Sequence, residues 1–511
     1  INPATGQVTF TPTDKSYTVA VTPAKVQAES SNGIKVDTTY TPEIVPVTPT
    51  ATPAETTDIQ GATQTGKPEF KGGTETVDGV EKTVAINEDV PATFDDGSTT
   101  KTVDGVGTYT VVADGTVTFV PEKSFVGTAP VVTVVREDMN GTKTSATYTP
   151  TVTPVTPTAE DATSTDIQGQ TQKGKPKFTE GNPVVPMDDD VPATFGDGST
   201  TKTIPGEGTY TVAPDGTVTF VPEKSFTGTG TGVTVKRVDK NGTKASATYT
   251  PTVTPVTPTA SPAVSTDVQG QTQTGKPVFT EGDSRVPMND DVPATFDDGS
   301  TTKTVDGVGT YTVAADGTVT FVPEKSFTGE APAVTVVRED MNGTKASATY
   351  TPTVTPVTPT AKPVETIDIQ GATQTGKPEF TEGDSRVPMN DDVPATFDDG
   401  STTKKVNGVG TYTVAADGTV TFVPEKSFTG KAQAVTVIRE DKNGTKASAT
   451  YTPTVTPVTP TAKDTTSTGK QGQTQTGKPE FIEGDSRVPM NDDVPATFDD
   501  GSTTKKVNGV G

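Results

Sequence analysis

The 511-residue sequence has no cysteine, no histidine and no tryptophan. Without cysteine there are no disulfides and no thiolate metal centre. Losing histidine as well removes the usual nucleophile–base pairs and the borderline-soft metal ligands. Positive charge is scarce: 41 Lys and Arg stand against 65 Asp and Glu, a formal net charge of −24 with no basic cluster. Nucleic-acid binding needs concentrated Lys and Arg, so no nucleic-acid partner is expected. No membrane span or signal peptide is present, so no membrane contact is expected of this stretch, which says nothing about a longer parent. Apolar residues are also few, at 29%. Any core must be thin, and composition alone leaves disorder open.

What the chain has is repetition. The peptide Val-Pro-Ala-Thr-Phe ends at Phe94, Phe195, Phe296, Phe397 and Phe498, each copy 101 residues after the last. A Lys-Pro pair recurs with it at Lys67-Pro68, Lys175-Pro176, Lys276-Pro277, Lys377-Pro378 and Lys478-Pro479. Residues 260–360 differ from 361–461 at 14 of 101 positions. That period is too long for a solenoid unit, which runs about 20–50 residues, and is the size of one independently folding domain. The expected organisation is the end of a divergent repeat (1–50), four repeats (51–158, 159–259, 260–360, 361–461) and the start of another (462–511). Gly511 aligns with Gly410, immediately before an expected strand pair, so the chain is expected to be part of a longer protein.

Residues 159–259 serve as the specimen. Tyr210-Thr211-Val212 and Val218-Thr219-Phe220 alternate apolar and polar, the period of a half-buried strand. A two-residue turn on Asp215-Gly216 would mix apolar and polar on each face. A three-residue loop, Pro214-Asp215-Gly216, pairs Val212 with Val218 and Tyr210 with Phe220, leaving threonine on the other face. The same logic places Lys240-Asn241-Gly242 as a loop, with Val235 facing Ala247 and Val233 facing Tyr249. The expected core is Tyr210, Val212, Val218, Phe220, Phe226, Val233, Val235 and Tyr249; Thr211, Thr219, Thr234 and Thr248 should point outward. Short extended segments are expected at 176–178 and 184–187. Prolines at 251, 255 and 258 are expected to exclude a central strand and form a semi-rigid connector. The fold class that follows is all-β: a tandem array of Ig-like β-sandwich domains of 101 residues joined by short Pro/Thr-rich connectors.

The run Asp215-Gly216-Thr217-Val218-Thr219-Phe220-Val221-Pro222-Glu223-Lys224-Ser225-Phe226-Thr227-Gly228, followed by Val-Thr-Val and the Asp-Lys-Asn-Gly-Thr turn, is similar to CshA-type fibril repeats. So is the opening Asp166-Ile167-Gln168-Gly169-Gln170-Thr171-Gln172-Lys173-Gly174-Lys175-Pro176. The resemblance covers essentially the whole chain. It implies the shaft of a streptococcal, secreted, cell-wall-anchored adhesin whose binding head lies N-terminal to the repeats. Localisation would be extracellular, at the cell surface, with the parent's C-terminus in the cell wall. A cysteine-free chain of this kind is common among Gram-positive surface proteins. The departures are a 7-residue longer stretch between Phe70 and Phe94 and the divergent first half-unit.

Candidate chemistry is sparse. Gly61-Ala62-Thr63-Gln64-Thr65-Gly66-Lys67 has phosphate-loop spacing up to the lysine, but Pro68 stands where Ser or Thr should ligate magnesium. Asp95-Asp96-Gly97-Ser98, Asn289-Asp290-Asp291 and Glu137-Asp138-Met139-Asn140-Gly141 offer oxygens for calcium, yet none has the ligand spacing of a calcium loop. Asn140-Gly141-Thr142 and its copies at Asn241, Asn342 and Asn443 have the form of a glycosylation sequon, and the turn reading is preferred. A Lys–Asn crosslink between Lys67 and Asn140 would need a buried acid beside them. Nothing sets a carboxylate separation for glycoside hydrolysis. No catalytic, cofactor or metal residue is assigned, no cofactor is expected, and the chain is expected not to be an enzyme. The expected role is a stalk of roughly 3–4 nm per unit and roughly 15–20 nm in all. The alternative is a multivalent module binding a host matrix protein or glycan directly; the parent would in either case meet a host-surface or extracellular-matrix ligand.

Overall fold

The computed structural model describes residues 1–77 and 79–507, which form strands, turns and no helix. The alignment of Gly511 with Gly410 lies outside the described residues. The chain divides into two units, Ile1–Pro255 and Val256–Gly511.

The specimen repeat explains the rest. Its strands are β1 (Thr158–Glu160), β2 (Ala162–Ile167), β3 (Gln172–Gly174), β4 (Lys177–Thr179), β5 (Thr194–Phe195), β6 (Thr201–Ile204), β7 (Gly208–Val212), β8 (Val218–Pro222), β9 (Gly228–Thr229), β10 (Val233–Val238) and β11 (Lys244–Thr254). One sheet has the order β3-β8-β7-β6 and the other β2-β11-β10-β5, with β9 also on β11; β1 and β4 pair separately. Because strand side chains alternate, each sheet turns one apolar face inward. Tyr210, Val212, Val218 and Phe220 from the first sheet meet Phe195, Val233, Val235, Tyr249 and Val253 from the second. Tyr210 lies on Phe220 with ring centroids 4.4 Å apart. The same core recurs around Tyr109, Tyr311 and Tyr412.

Both expected hairpin registers are present: Val212↔Val218 and Tyr210↔Phe220, then Val235↔Ala247 and Val233↔Tyr249. Ala213 N–H donates to Thr217 O and Gly216 N–H to Ala213 O, closing a loop of residues 214–216. Gly216 and Gly242 have φ of 88° and 86°, the left-handed region that a side chain disfavours.

Three expectations need correction. Phe226 is half-buried, touching Phe220 edge-on at 6.2 Å from the rim of the core. The segment 184–187 is a turn with isolated bridges, Asn182↔Val185 and Met187↔Asp239, and not a strand. The largest correction concerns Pro251, which lies inside central strand β11, buried between Tyr249 and Val253. Its carbonyl accepts from Gly230 N–H at 2.9 Å. In a strand, a residue's N and C=O face the same neighbour. The missing N–H therefore faces the gap between β10, whose pairing stops at Tyr249, and β9, whose pairing starts at Thr252. Parallel pairing with β2 fills the other side, from Ala162↔Tyr249 to Ile167↔Thr254. Sequence alternation alone could not show that a partner strand ends opposite the proline.

The flanking part-repeats lack such cores. Phe397 is fully buried, whereas Phe498 in the same peptide is 50% exposed.

Candidate functional site: the joint between repeats

Each of the four full repeats opens with an Asp-Ile-Gln-Gly or Asp-Val-Gln-Gly turn, and at Gln60 in the first unit and Gln269 in the second this turn receives the second hairpin of the following repeat. Gln60 follows the strand Ala54–Ile59 and is buried. Its N–H donates to Thr153 O at 2.8 Å and its Nε2 to Lys123 O at 2.8 Å, while its Oε1 accepts from Val155 N–H at 3.2 Å. Its carbonyl accepts from Asn241 Nδ2 at 2.8 Å. Gln269 repeats this wiring with Thr355, Lys325 and Val357, and accepts from Asn443 Nδ2 at 2.8 Å.

The Asn side is preorganised. Buried Asp239 accepts Asn241 N–H at 3.0 Å and Thr243 N–H at 2.8 Å on one carboxylate oxygen, fixing the turn before anything docks. Asp441 does the same for Asn443 and Thr445. Across the contact, Gly61 has φ of 83°, and a methyl group there would lie 2.4 Å from Asn241 Oδ1. Glycine thus serves both the turn and the close approach.

The connector is gripped from both sides. Val155 and Pro157 are buried, Val155 N–H is held by Gln60, and a methyl on Gly181 would strike Thr156 O at 2.4 Å. The second unit adds charge. Arg386 Nη1 donates to Asp267 Oδ1 at 2.6 Å and its Nε to Asp384 Oδ1 at 3.1 Å. Asp384, then Asp267, raises the Arg386 pKa, and Arg386 holds Asp384 below its usual range. Arg487 donates likewise to Asp368 at 2.8 Å. In the first unit the position matching Arg386 is Val184, 77% exposed, so that joint has no such pair.

The residues singled out from sequence fall elsewhere. Lys67 Nζ is 2.7 Å from Asp114 Oδ2 in an exposed pair, so the phosphate-loop spacing reflects two packing needs: Gly61 at the joint and Gly66 against the Tyr148 ring. The acid beside Asn140, Asp138, is buried but caps Asn140 N–H at 2.9 Å and Thr142 N–H at 2.8 Å. Asp96 accepts from Ser98 N–H as a local turn cap. Asp290 holds Arg338, 10% exposed, at 2.6 Å. Among the described residues, no three acidic side chains converge as metal ligands, and no helix is long and apolar enough to cross a membrane. A shallow groove recurs at Lys175, Phe178, Asp215 and Arg237 and at Lys377, Phe380 and Arg439. Its cations are already paired: Lys175 with Asp215 at 2.8 Å and Arg237 with Asp189 at 2.6 Å. Lys175 holds the Asp215 carboxyl well below the usual range. Sequence reading missed Gln60, Gln269 and the joint role of Asn241; the signal was a Gln-Gly pair recurring where strand alternation requires neither residue.

Comparison with known proteins follows the same repeat. The family model described as the surface adhesin CshA repetitive domain matches residues 46–152, 154–253, 255–354, 356–455 and 457–511. No curated protein matches the chain. Among solved structures, protocadherin gammaB7 EC3-6 aligns at 9% identity over 80% of this chain and 99% of that one, with a TM-score of 0.31. Drosophila N-cadherin EC1-4 aligns at 13% over 79% and 99%, with a TM-score of 0.20. The N-terminal eight Ig domains of Down Syndrome Cell Adhesion Molecule align at 14% over 92% and 65%, with a TM-score of 0.18. At these scores the likenesses fix nothing further. Motif order, period and family match agree from residue 46 onward, and the chain belongs to the surface adhesin CshA repetitive-domain family, the extracellular, cell-surface repeats of an adhesin.

Proposed function

We propose that the chain is the stalk of a bacterial surface fibril, projecting an adhesive head that lies outside this sequence from a cell wall that anchors the parent's C-terminus. The observation that carries this reading is the joint: the opening turn of one repeat is occupied by the hairpin of the next. Surface chemistry supports it. Among the described residues, every exposed Tyr or Phe belongs to the flanking part-repeats, namely Phe10, Tyr17, Phe481 and Phe498. Most aromatic anchors that protein and glycan recognition favours are thus turned into the cores of the full repeats, with Phe178 and Phe380 half-buried at the groove. The recurrent groove would favour direct binding, but a ligand there must displace existing ion pairs. On this reading the chain is not an enzyme and uses no cofactor, and the repeats run 51–158, 159–259, 260–360 and 361–461 between the part-repeats 1–50 and 462–511. Deleting 260–360 from the parent tests it. The fibril should shorten by one unit with head affinity unchanged; unchanged reach, or lost affinity, contradicts the stalk.

A further inference from the structure

The Asn-Gly pairs that form the joints carry a chemistry that the stalk reading does not use. In an Asn-Gly sequence the glycine backbone nitrogen, unhindered by a side chain, attacks the asparagine Cγ. The Cγ–Nδ2 bond breaks, ammonia leaves and a succinimide remains. Water then opens the ring to aspartate or isoaspartate, so that one water is consumed and one ammonia released. Such asparagines are among the labile residues of proteins.

The same Asn-Gly-Thr-Lys tetrapeptide occurs at Asn140, Asn241, Asn342 and Asn443. The turns share one restraint: Gly141, Gly242 and Gly444 N–H each donate to the Asp carbonyl three residues before, at 2.9, 2.8 and 2.9 Å. Two of them also share a restraint on the side chain: Asn241 and Asn443 have Nδ2 bonded to a carbonyl of the preceding repeat, and their Oδ1 lies against Gly61 and Gly270. Rotation of the amide toward the glycine nitrogen is therefore blocked at a docked joint.

We propose that these asparagines are self-modifying sites: docking holds back their deamidation, and deamidation prevents docking. The product carboxylate has no donor for the Gln60 or Gln269 carbonyl and sets a negative oxygen against it, so an undocked joint that has aged does not close again. That consequence rests on the stalk reading; the protection itself does not.

The test uses the whole chain, aged in neutral buffer at body temperature and mapped by peptide mass spectrometry. Asn241 and Asn443 should convert at least about fivefold more slowly in the folded chain than in denaturant, the factor one hydrogen bond supplies. In denaturant all the tetrapeptides should convert alike. Gly61→Ala should speed Asn241 alone, with Asn443 as the internal reference. An Asn241 rate left unchanged by Gly61→Ala overturns the protection. Separately, Asn241→Asp with Asn443→Asp should accelerate amide exchange at Val155 and Val357, whose N–H groups the joint glutamines hold. Unchanged exchange overturns the effect on docking while leaving the stalk itself to the deletion test.

Discussion

Phe220 and Tyr210 show how much one side chain carries in a thin core. Both are fully buried and stacked, so Phe220→Ala should cost about 3–5 kcal/mol, a large part of what a domain of this size has. Calorimetry of the whole chain should then show one repeat melting early; an unchanged trace contradicts the packing. A more local case is Glu207, where the other repeats have Val106, Val308 and Val409. It is 6% exposed and accepts from Tyr210 OH and from Thr231 N–H and Oγ1, the latter two at 3.0 and 2.7 Å. The neighbouring repeats have Pro130 and Pro332 in place of Thr231, and their tyrosines donate to those prolines' carbonyls. Glu207→Val alone strands the Thr231 N–H and should cost about 1–3 kcal/mol, and adding Thr231→Pro should recover most of it. Additive losses would mean the two positions are independent. The tyrosines also give a pH test. Burial pushes Tyr109, Tyr311 and Tyr412 up to about 12. A folded value above the unfolded one, near 10, means stability is intact below about pH 10 and is lost as pH rises through the folded value. Absorbance should show Tyr109, Tyr311 and Tyr412 ionising only as the chain unfolds; ionisation ahead of unfolding contradicts their burial.

At the scale of elements, the hairpins were legible and the long strand was not. Alternation with Asp215-Gly216 and Asn241-Gly242 decides the registers, because a slip of one residue would turn every apolar side chain to water. Gly216→Val should therefore destabilise the repeat by more than about 1 kcal/mol, since φ of 88° is strained for a β-branched residue; equal stability would remove the bulged turn from the account. Pro251 was misleading because a proline's tolerance depends on what lies beside its nitrogen, a tertiary fact. The burial of Phe195 escaped notice for a related reason: its strand has two residues, too few to show a period, and is placed only by pairing with Val235. The joint was least legible of all. Gln60 and Asn241 are 181 positions apart, and a turn asparagine reads the same in sequence whether its amide faces water or a neighbouring repeat.

For the whole molecule, repetition turns small contacts into a property of the array. Each joint within a unit uses a handful of hydrogen bonds, and the second unit adds Arg386 with Asp267 and Arg487 with Asp368, pairs that salt weakens. A formal net charge of −24 opposes self-association of copies of this chain. The central claim is that this array spaces and does not bind. The most direct measurement passes the intact chain, without any head, over immobilised matrix proteins and glycans. The stalk account predicts no saturable binding at roughly micromolar concentrations. Saturable binding at that level or tighter, rising steeply with the number of repeats, would contradict it.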